Sequence, residues 1–421
     1  MTPEFNLLAV SLLVALFAFW KLDFVATLLT LKNLEPKLPE EFRGIWDDAK
    51  YAKAQDYERA QAKFGVISSI TSLTIFLVFW FLGGFGWLDG LARSMGDGPI
   101  VTGLIFIGLI YLGSMLTSLP FDIYSTFVLE EKFGFNKTTP LTFITDQIKG
   151  LMIMALIGVP IIALILWIFL SVANAWIFAW LAVTVISLGL TYLAPSLILP
   201  LFNKFTPLED GALNRAIQAM AKKCEFPLTE ISVMDGSKRS AKANAFFTGF
   251  GKRKKIALYD TLVEKQTTDE LVAVLAHEIG HFKKKHIVQR LVLSILQTAV
   301  IFFLLGMATS QDSTFGQQLY AAFGVPHSYG VGLVLFMIVF KPVSRILSIL
   351  MNILSRKHEF EADAYASDAQ GTPANLVSAL KKLSAENLSN LTPHPLEVFL
   401  DHSHPPVLTR IEALKGRSAH A

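Results

Sequence analysis

The fold turns on residues 267–309, TTDELVAVLAHEIGHFKKKHIVQRLVLSILQTAVIFFLLGMAT. The first half opens with a capping box, Thr267 as N-cap and Glu270 reaching back to it. Leu271, Val272, Val274 and Leu275 continue the helical pattern, and into that helix falls His277-Glu278-Ile279-Gly280-His281. Four residues make about one turn, so both imidazoles leave one face at a spacing suited to a single Zn²⁺. Glu278 is turned about 100° away, where its carboxylate can accept a proton from metal-activated water and deliver it to a leaving amine. The second half, at about 287–308, has the length and apolarity to cross a bilayer. The helix is expected to run on through Lys283, Lys284, Lys285 and His286 into that span, anchoring the metal site at the membrane surface. The three lysines read as an interfacial cluster. His286, five residues past His281, falls on another face and is not counted as a ligand.

Six more segments read as spans, at about 5–22, 66–88, 101–120, 150–171, 175–201 and 329–352. Of 421 residues, 52% are hydrophobic and 17% charged, against about 25% charged in soluble domains. Around Ser171-Val172-Ala173-Asn174 two spans nearly merge, which implies a tight hairpin outside the membrane. The first span has neither the basic start nor the cleavage pattern of a signal peptide. Lys32, Lys37, Arg43, Lys50, Lys53, Arg59 and Lys63 separate the first two spans, and residues 202–286 are also basic, whereas Lys and Arg are absent between Arg290 and Lys341. The positive-inside rule then puts the 202–286 segment and the C-terminal tail in the cytoplasm and the N-terminus outside.

The stretch 34–63, with Tyr51, Ala54, Tyr57, Ala60 and Phe64 at helical spacings, reads as a surface helix leading into the second span. The expected organisation is residues 1–204 for five spans and that helix, 205–286 for a catalytic segment, 287–355 for two further spans and 356–421 for a cytoplasmic tail. A net charge of +3 gives no case for nucleic acid, and the single cysteine, Cys224, excludes an intrachain disulfide and a Cys-rich zinc site; it reads as a buried apolar residue.

A catalytic zinc takes three protein ligands and keeps one open position. Residues 355–366, SRKHEFEADAYA, extend the last span. In them Glu359 and Asp363 stand four apart on one face, so one can bind the metal while the other accepts an N–H from a ligand histidine; Glu361 points elsewhere. On this pattern alone a solvated acidic helix is the stronger reading. Upstream, residues 229–234 and 254–260 read as strands with a third over 243–250, and Gly249, Gly251 and the basic residues 252–255 suggest a turn. A small sheet with a free edge can hold an extended peptide by main-chain hydrogen bonds.

His277-Glu278-x-x-His281, Ser355-Arg356 and Glu359-Phe360-x-Ala362-Asp363 together resemble the CAAX prenyl protease 1 family, membrane zinc proteases with the HtpX-type quality-control enzymes as distant relatives. The similarity extends to residues 236–240, to Asn244-Ala245-Phe246-Phe247-x-Gly249-Phe250 and to Ser403-His404-Pro405-Pro406, all in order, and seven spans match the full-length family. The resemblance implies one Zn²⁺ per chain with Glu359 as its third ligand. It implies that Asp363 and Arg410 pair behind the ligands, that Asn244, Ala245 and Phe246 border the substrate, and that His404 helps stabilise the tetrahedral intermediate. It also implies a mainly α-helical membrane protein, its seven spans ringed around a chamber, with a small cytoplasmic sheet beside the zinc helices.

The expected function is hydrolysis of peptide bonds by zinc-activated water, either removing a C-terminal tripeptide from prenylated or similar peptides or clearing membrane proteins. Two alternatives are a membrane zinc hydrolase of non-peptide substrates and a non-catalytic scaffold or transporter. The expected partners are a peptide or protein substrate, prenylated or not, and the lipid bilayer. A bacterial inner membrane is favoured, or the endoplasmic reticulum for a eukaryotic chain, with the site facing the cytoplasm. His358, His394 and His402 are expected to be structural or solvated.

Overall fold

The computed structural model of the chain describes residues 2–248 and 254–418. The expected turn and the end of the third expected strand, at 249–253, lie outside the described residues.

Seven helices are long and apolar enough to cross a membrane: Leu7–Lys32, Asp48–Phe81, Gly98–Phe133, Pro140–Ser171, Ala175–Phe202, His286–Thr309 and Tyr329–Gln370. They fall where the apolar runs placed them, except that the second span ends at Phe81 rather than about 88, because Gly83 turns into the left-handed region at φ 72° and a new helix starts. Most continue beyond the hydrocarbon length, because a helix that leaves the bilayer can keep its backbone bonds in water. The second span begins at Asp48, where the Asp47 side chain accepts from the Lys50 N–H at 2.6 Å. Only the later part of the stretch 34–63 is therefore helical. The earlier part is irregular apart from a short 3₁₀ turn at Glu40–Phe42, because Pro36 and Pro39 cannot supply helical donors. The hairpin between the fourth and fifth spans is as tight as expected, closed by Asn174 in the left-handed region at φ 51°.

Two short helices, Gly84–Met95 and Thr314–Phe323, were not anticipated. They pack together at one end of the bundle, where the Trp80 ring stacks on Phe323 at 4.6 Å and Phe85 meets the same ring edge-on at 5.1 Å. Within the bundle the third and seventh spans touch backbone to backbone: a Cβ on Gly330 would lie 2.4 Å from Gly103 Cα. Hydrocarbon offers no hydrophobic gain for helix association, so such close approaches and the packing around them hold the spans together. Large apolar side chains such as Leu116, Leu156 and Val185 are exposed on the spans, which suits helices surrounded by hydrocarbon.

The opposite end carries a separate apolar core and a four-stranded sheet in the order β1-β2-β4-β3, with β1 Phe205–Pro207, β2 Leu228–Met234, β3 Ala245–Thr248 and β4 Lys254–Tyr259. β2 runs parallel to β4, and β1 and β3 are antiparallel to their neighbours. β1 was not foreseen; three residues are too few to show alternation. β4 leads through the short helix Asp260–Lys265 into the HExxH helix, Thr268–Lys283. Its capping box forms as expected, with Thr267 Oγ1 accepting from the Glu270 N–H and Glu270 Oε2 from the Thr267 N–H. The buried Glu270 carboxylate also receives Ser378 Oγ at 2.6 Å and Lys382 Nζ at 2.7 Å, which ties the start of this helix to the helix Ala374–Glu386.

The HExxH helix does not run on into the sixth span, contrary to expectation. The Lys284 and Lys285 N–H groups bond back to Gly280 O and Phe282 O, Lys285 turns into the left-handed region at φ 58°, and a new helix starts at His286. The seventh span is one continuous helix of 42 residues. At 1.5 Å per residue it is about 60 Å long, enough to cross the membrane and still reach the HExxH helix.

Candidate active site

The HExxH helix and the far end of the seventh span cross at Gly280, where an added Cβ would lie 3.0 Å from both Ala362 Cα and Ala362 O. That approach brings Glu359 between the two imidazoles. His277 Nε2 lies 3.1 Å from His281 Nε2 and 3.5 Å from Glu359 Oε2, and His281 Nε2 lies 3.3 Å from Glu359 Oε1. Metal bonds of about 2.0–2.2 Å in a tetrahedral site put ligand atoms about 3.3–3.5 Å apart. The three groups thus fit one ion, and no rearrangement of the helices is needed.

The protonation states give a second test. His277 Nδ1 lies 2.8 Å from Asp363 Oδ1. A carboxylate only accepts, so His277 carries its proton on Nδ1 and directs a lone pair from Nε2 into the cluster. Glu359 Oε2, buried, has no hydrogen-bond partner among the described residues. A lone pair aimed at a buried carboxylate oxygen that accepts no hydrogen bond is the arrangement a cation resolves.

Arg410 closes the back of the site. Its Nε reaches Asp363 Oδ2 at 2.8 Å and its Nη2 reaches Asp363 Oδ1 at 2.6 Å, while Nη1 stands 3.5 Å from Glu359 Oε2. His277, Glu359, Asp363 and Arg410 are all buried. With Glu278 counted, three carboxylates face one guanidinium, and the excess of two negative charges matches a divalent ion. Glu278 follows His277 on the helix and is half-buried. Burial, chiefly, raises its carboxyl above the ordinary carboxylate value, with the two imidazoles pulling the other way.

His404 comes to the same place from the C-terminal tail. Its Nε2 is 3.5 Å from Glu359 Oε1, its Nδ1 lies 2.9 Å from Ser403 Oγ, and 63% of the side chain is exposed. Sequence reasoning missed how its loop is held. Arg356 Nη1 donates to Val398 O at 2.8 Å and to His402 O at 2.6 Å, so the seventh span anchors the segment that carries His404. His402 is part of that loop, and His394 caps the helix Pro395–Asp401 by accepting from the Leu396 N–H.

Asn244 stands just before β3, and Ala245 and Phe246 lie on it. Asn244 is exposed, its carbonyl accepts from the Tyr259 N–H at 3.1 Å, and Phe246 meets Tyr259 edge-on at 6.3 Å. The preceding residue is pinned by another that the sequence did not reveal: the Ala243 N–H donates to Asn387 Oδ1 at 3.1 Å, and Asn387 Nδ2 donates back to Ala243 O at 3.4 Å. An asparagine side chain thus takes the place of a neighbouring strand just before β3.

Glu361 points away from the Glu359–Asp363 face, as expected, and finds a partner the sequence did not reveal. Its Oε2 receives His286 Nε2 at 2.9 Å, and His286 Nδ1 lies 2.9 Å from His281 Nδ1. His358 stacks on His286 with centroids 3.9 Å apart, which agrees with a structural role.

Comparison with known proteins extends these observations over the whole chain. Residues 27–204 match the family model described as CAAX prenyl protease N-terminal, five membrane helices, and residues 207–418 match peptidase family M48. CAAX prenyl protease 1 of Saccharomyces cerevisiae is 39% identical over 91% of this chain and 89% of its own length. The human CAAX prenyl protease 1 homolog is 35% identical over 91% and 90%. The crystal structure of Ste24p from S. mikatae superposes with a TM-score of 0.89 at 38% identity, covering 98% of this chain and all of that one. The chain therefore belongs to peptidase family M48, in its CAAX prenyl protease 1 branch, and is a multi-pass membrane metalloprotease.

Proposed function

We propose that the chain holds one Zn²⁺ with His277, His281 and Glu359 and cleaves extended peptides whose C-terminal end lies at the membrane surface. The observation that carries this reading is the meeting of His277 Nε2, His281 Nε2 and a Glu359 carboxylate at 3.1–3.5 Å. Zinc bound there would supply Lewis acidity, polarising the scissile carbonyl and making water a nucleophile near neutral pH.

Glu278 takes the proton from the attacking water and returns it to the leaving amine; its raised carboxyl suits both transfers. His404, on the open side of the cluster, donates to the oxygen that becomes negative as the carbonyl is attacked. Asp363 and Arg410 fix the His277 tautomer and keep Glu359 in place. β3 is an edge of the four-stranded sheet. A substrate adding alongside it bonds through its main chain, with Asn244, Ala245 and Phe246 as its neighbours.

The relatives' name points to prenylated CAAX peptides as substrates, and the cut expected from the resemblance removes a C-terminal tripeptide. The basic segments support a cytoplasmic active site. Purified protein should contain about one zinc per chain, and Glu278→Gln should keep the metal while losing cleavage. Mass spectrometry of products from a prenylated and an unprenylated peptide, with wild type and Glu278→Gln, tests chemistry and preference together. Cleavage by Glu278→Gln at the wild-type rate would refute the mechanism. Labelling from the cytoplasm of a cysteine placed at Gln318 would overturn the orientation.

A further inference from the structure

The two histidines of the cluster are supported in different ways. His277 meets a carboxylate directly, through Asp363. His281 meets another imidazole: its Nδ1 lies 2.9 Å from His286 Nδ1, and His286 Nε2 lies 2.9 Å from Glu361 Oε2. His286 is almost completely buried, lies flat against His358, and His358 Nε2 is held by Gln289 Oε1 at 3.0 Å. The helix break before it makes this contact possible. On an uninterrupted helix, five residues turn the side chain about 140° away from His281. The left-handed Lys285, at φ 58°, swings His286 back beside it.

We propose that His286 is a positioning residue for the metal, fixing the ring and tautomer of His281, with Glu361 fixing His286 in turn. The assignment follows from proton bookkeeping along the row. Glu361 only accepts, so His286 Nε2 carries a proton and its Nδ1 presents a lone pair. That lone pair requires the proton of His281 on Nδ1, which leaves His281 Nε2 free for the metal. Each hydrogen bond runs the same way, from His281 to His286 to Glu361. The inference rests on His281 being a ligand, as proposed above.

The test uses full-length protein in detergent and reads metal binding as well as cleavage. Zn²⁺ affinity is measured by chelator competition, and the Co²⁺-loaded absorption spectrum reports the geometry around the ion. His286→Ala should lower Zn²⁺ affinity about 10- to 100-fold, the range for losing an outer partner of a ligand histidine, and should alter the Co²⁺ bands. His286→Asn places Oδ1 where Nδ1 was and should recover most of that affinity, although it too lacks the stacked ring. Glu361→Gln, at a partly exposed position, should shift affinity in the same direction by less. If Ala and Asn weaken binding equally, His286 only packs, and the proposal falls. It falls also if both bind like wild type, or if Glu361→Gln folds and shows unchanged affinity and spectrum. His281→Ala separates the underlying reading: wild-type affinity there would remove His281 from the ligand set, whatever His286 does.

Discussion

The seventh span makes two close crossings, one toward each end, and the same device builds both. Toward its start Gly330 lies against Gly103 of the third span; toward its end Ala362 lies against Gly280 of the HExxH helix. Each lets two backbones approach where a larger side chain would hold them apart. Their surroundings differ. Leu335, Phe106 and Val331 belong to the apolar core around the first crossing, while Glu359, Asp363, His277 and Arg410 surround the second. At the membrane crossing, close packing decides whether the bundle assembles. At the catalytic crossing it also sets the distance between ligand atoms on separate helices. A packing error at one end should therefore appear as lost stability, and at the other as lost metal.

The largest effect is expected from breaking the charge network of the catalytic crossing. Arg410→Leu leaves Asp363 and Glu359 buried without their guanidinium, a change worth about 3–5 kcal/mol of stability. Denaturation in detergent should show a loss of this size with low metal content. A loss under about 1 kcal/mol would mean that water reaches the pair and that the catalytic crossing is less dry than its burial indicates.

Gly330→Ala comes next. The added methyl would meet the Gly103 backbone at 2.4 Å, and overpacking of this kind costs about 1–3 kcal/mol. The folded fraction should keep wild-type metal content and cleavage. Metal loss there would erase the distinction between the two crossings.

Gly280→Ala should reverse that pattern. Its contacts, at 3.0–3.2 Å, are looser, and alanine recovers about 1 kcal/mol of helix propensity over glycine. Stability should change by about 1 kcal/mol or less, yet the helices must shift by tenths of an ångström just where Glu359 meets the imidazoles. Zinc affinity should fall about tenfold, as when an outer support is lost; unchanged affinity by chelator competition would show that the ligands tolerate the shift.

The same contrast explains what the sequence disclosed. The seven spans and the HExxH helix were legible because their signals are local: apolar runs, a capping box, two histidines one turn apart. Glu359 carried no such signal. Carboxylates four apart are common, and only the resemblance picked one of them out, since the partner histidines lie about 80 residues away. The contacts that stayed hidden all join distant segments. Arg356 holding the His404 loop, Asn387 pinning Ala243, and His286 linking His281 to Glu361 pair residues whose types are ordinary and whose separation hides them. The continuous helix expected through Lys283-Lys284-Lys285 failed for a different reason. Helix ends are usually marked by glycine, asparagine or proline, and here a lysine takes the left-handed turn.

That lysine offers the finest test of the comparison. Lys285 adopts φ 58° at the junction between the HExxH helix and the sixth span, and a side chain there strains the backbone by about 1–2 kcal/mol. Glycine would relieve the strain but give the unfolded chain more freedom to lose. Lys285→Gly should therefore raise stability by at most about 1 kcal/mol, a rise of a few degrees or less in the detergent melting temperature. Metal affinity should stay as in wild type, because the turn keeps its shape and His286 its place beside His281. A clear drop in stability would show that the turn is not left-handed in the folded protein. The single-helix reading of this segment would then regain its footing, and the close contact between His281 and His286 would lose its geometric basis.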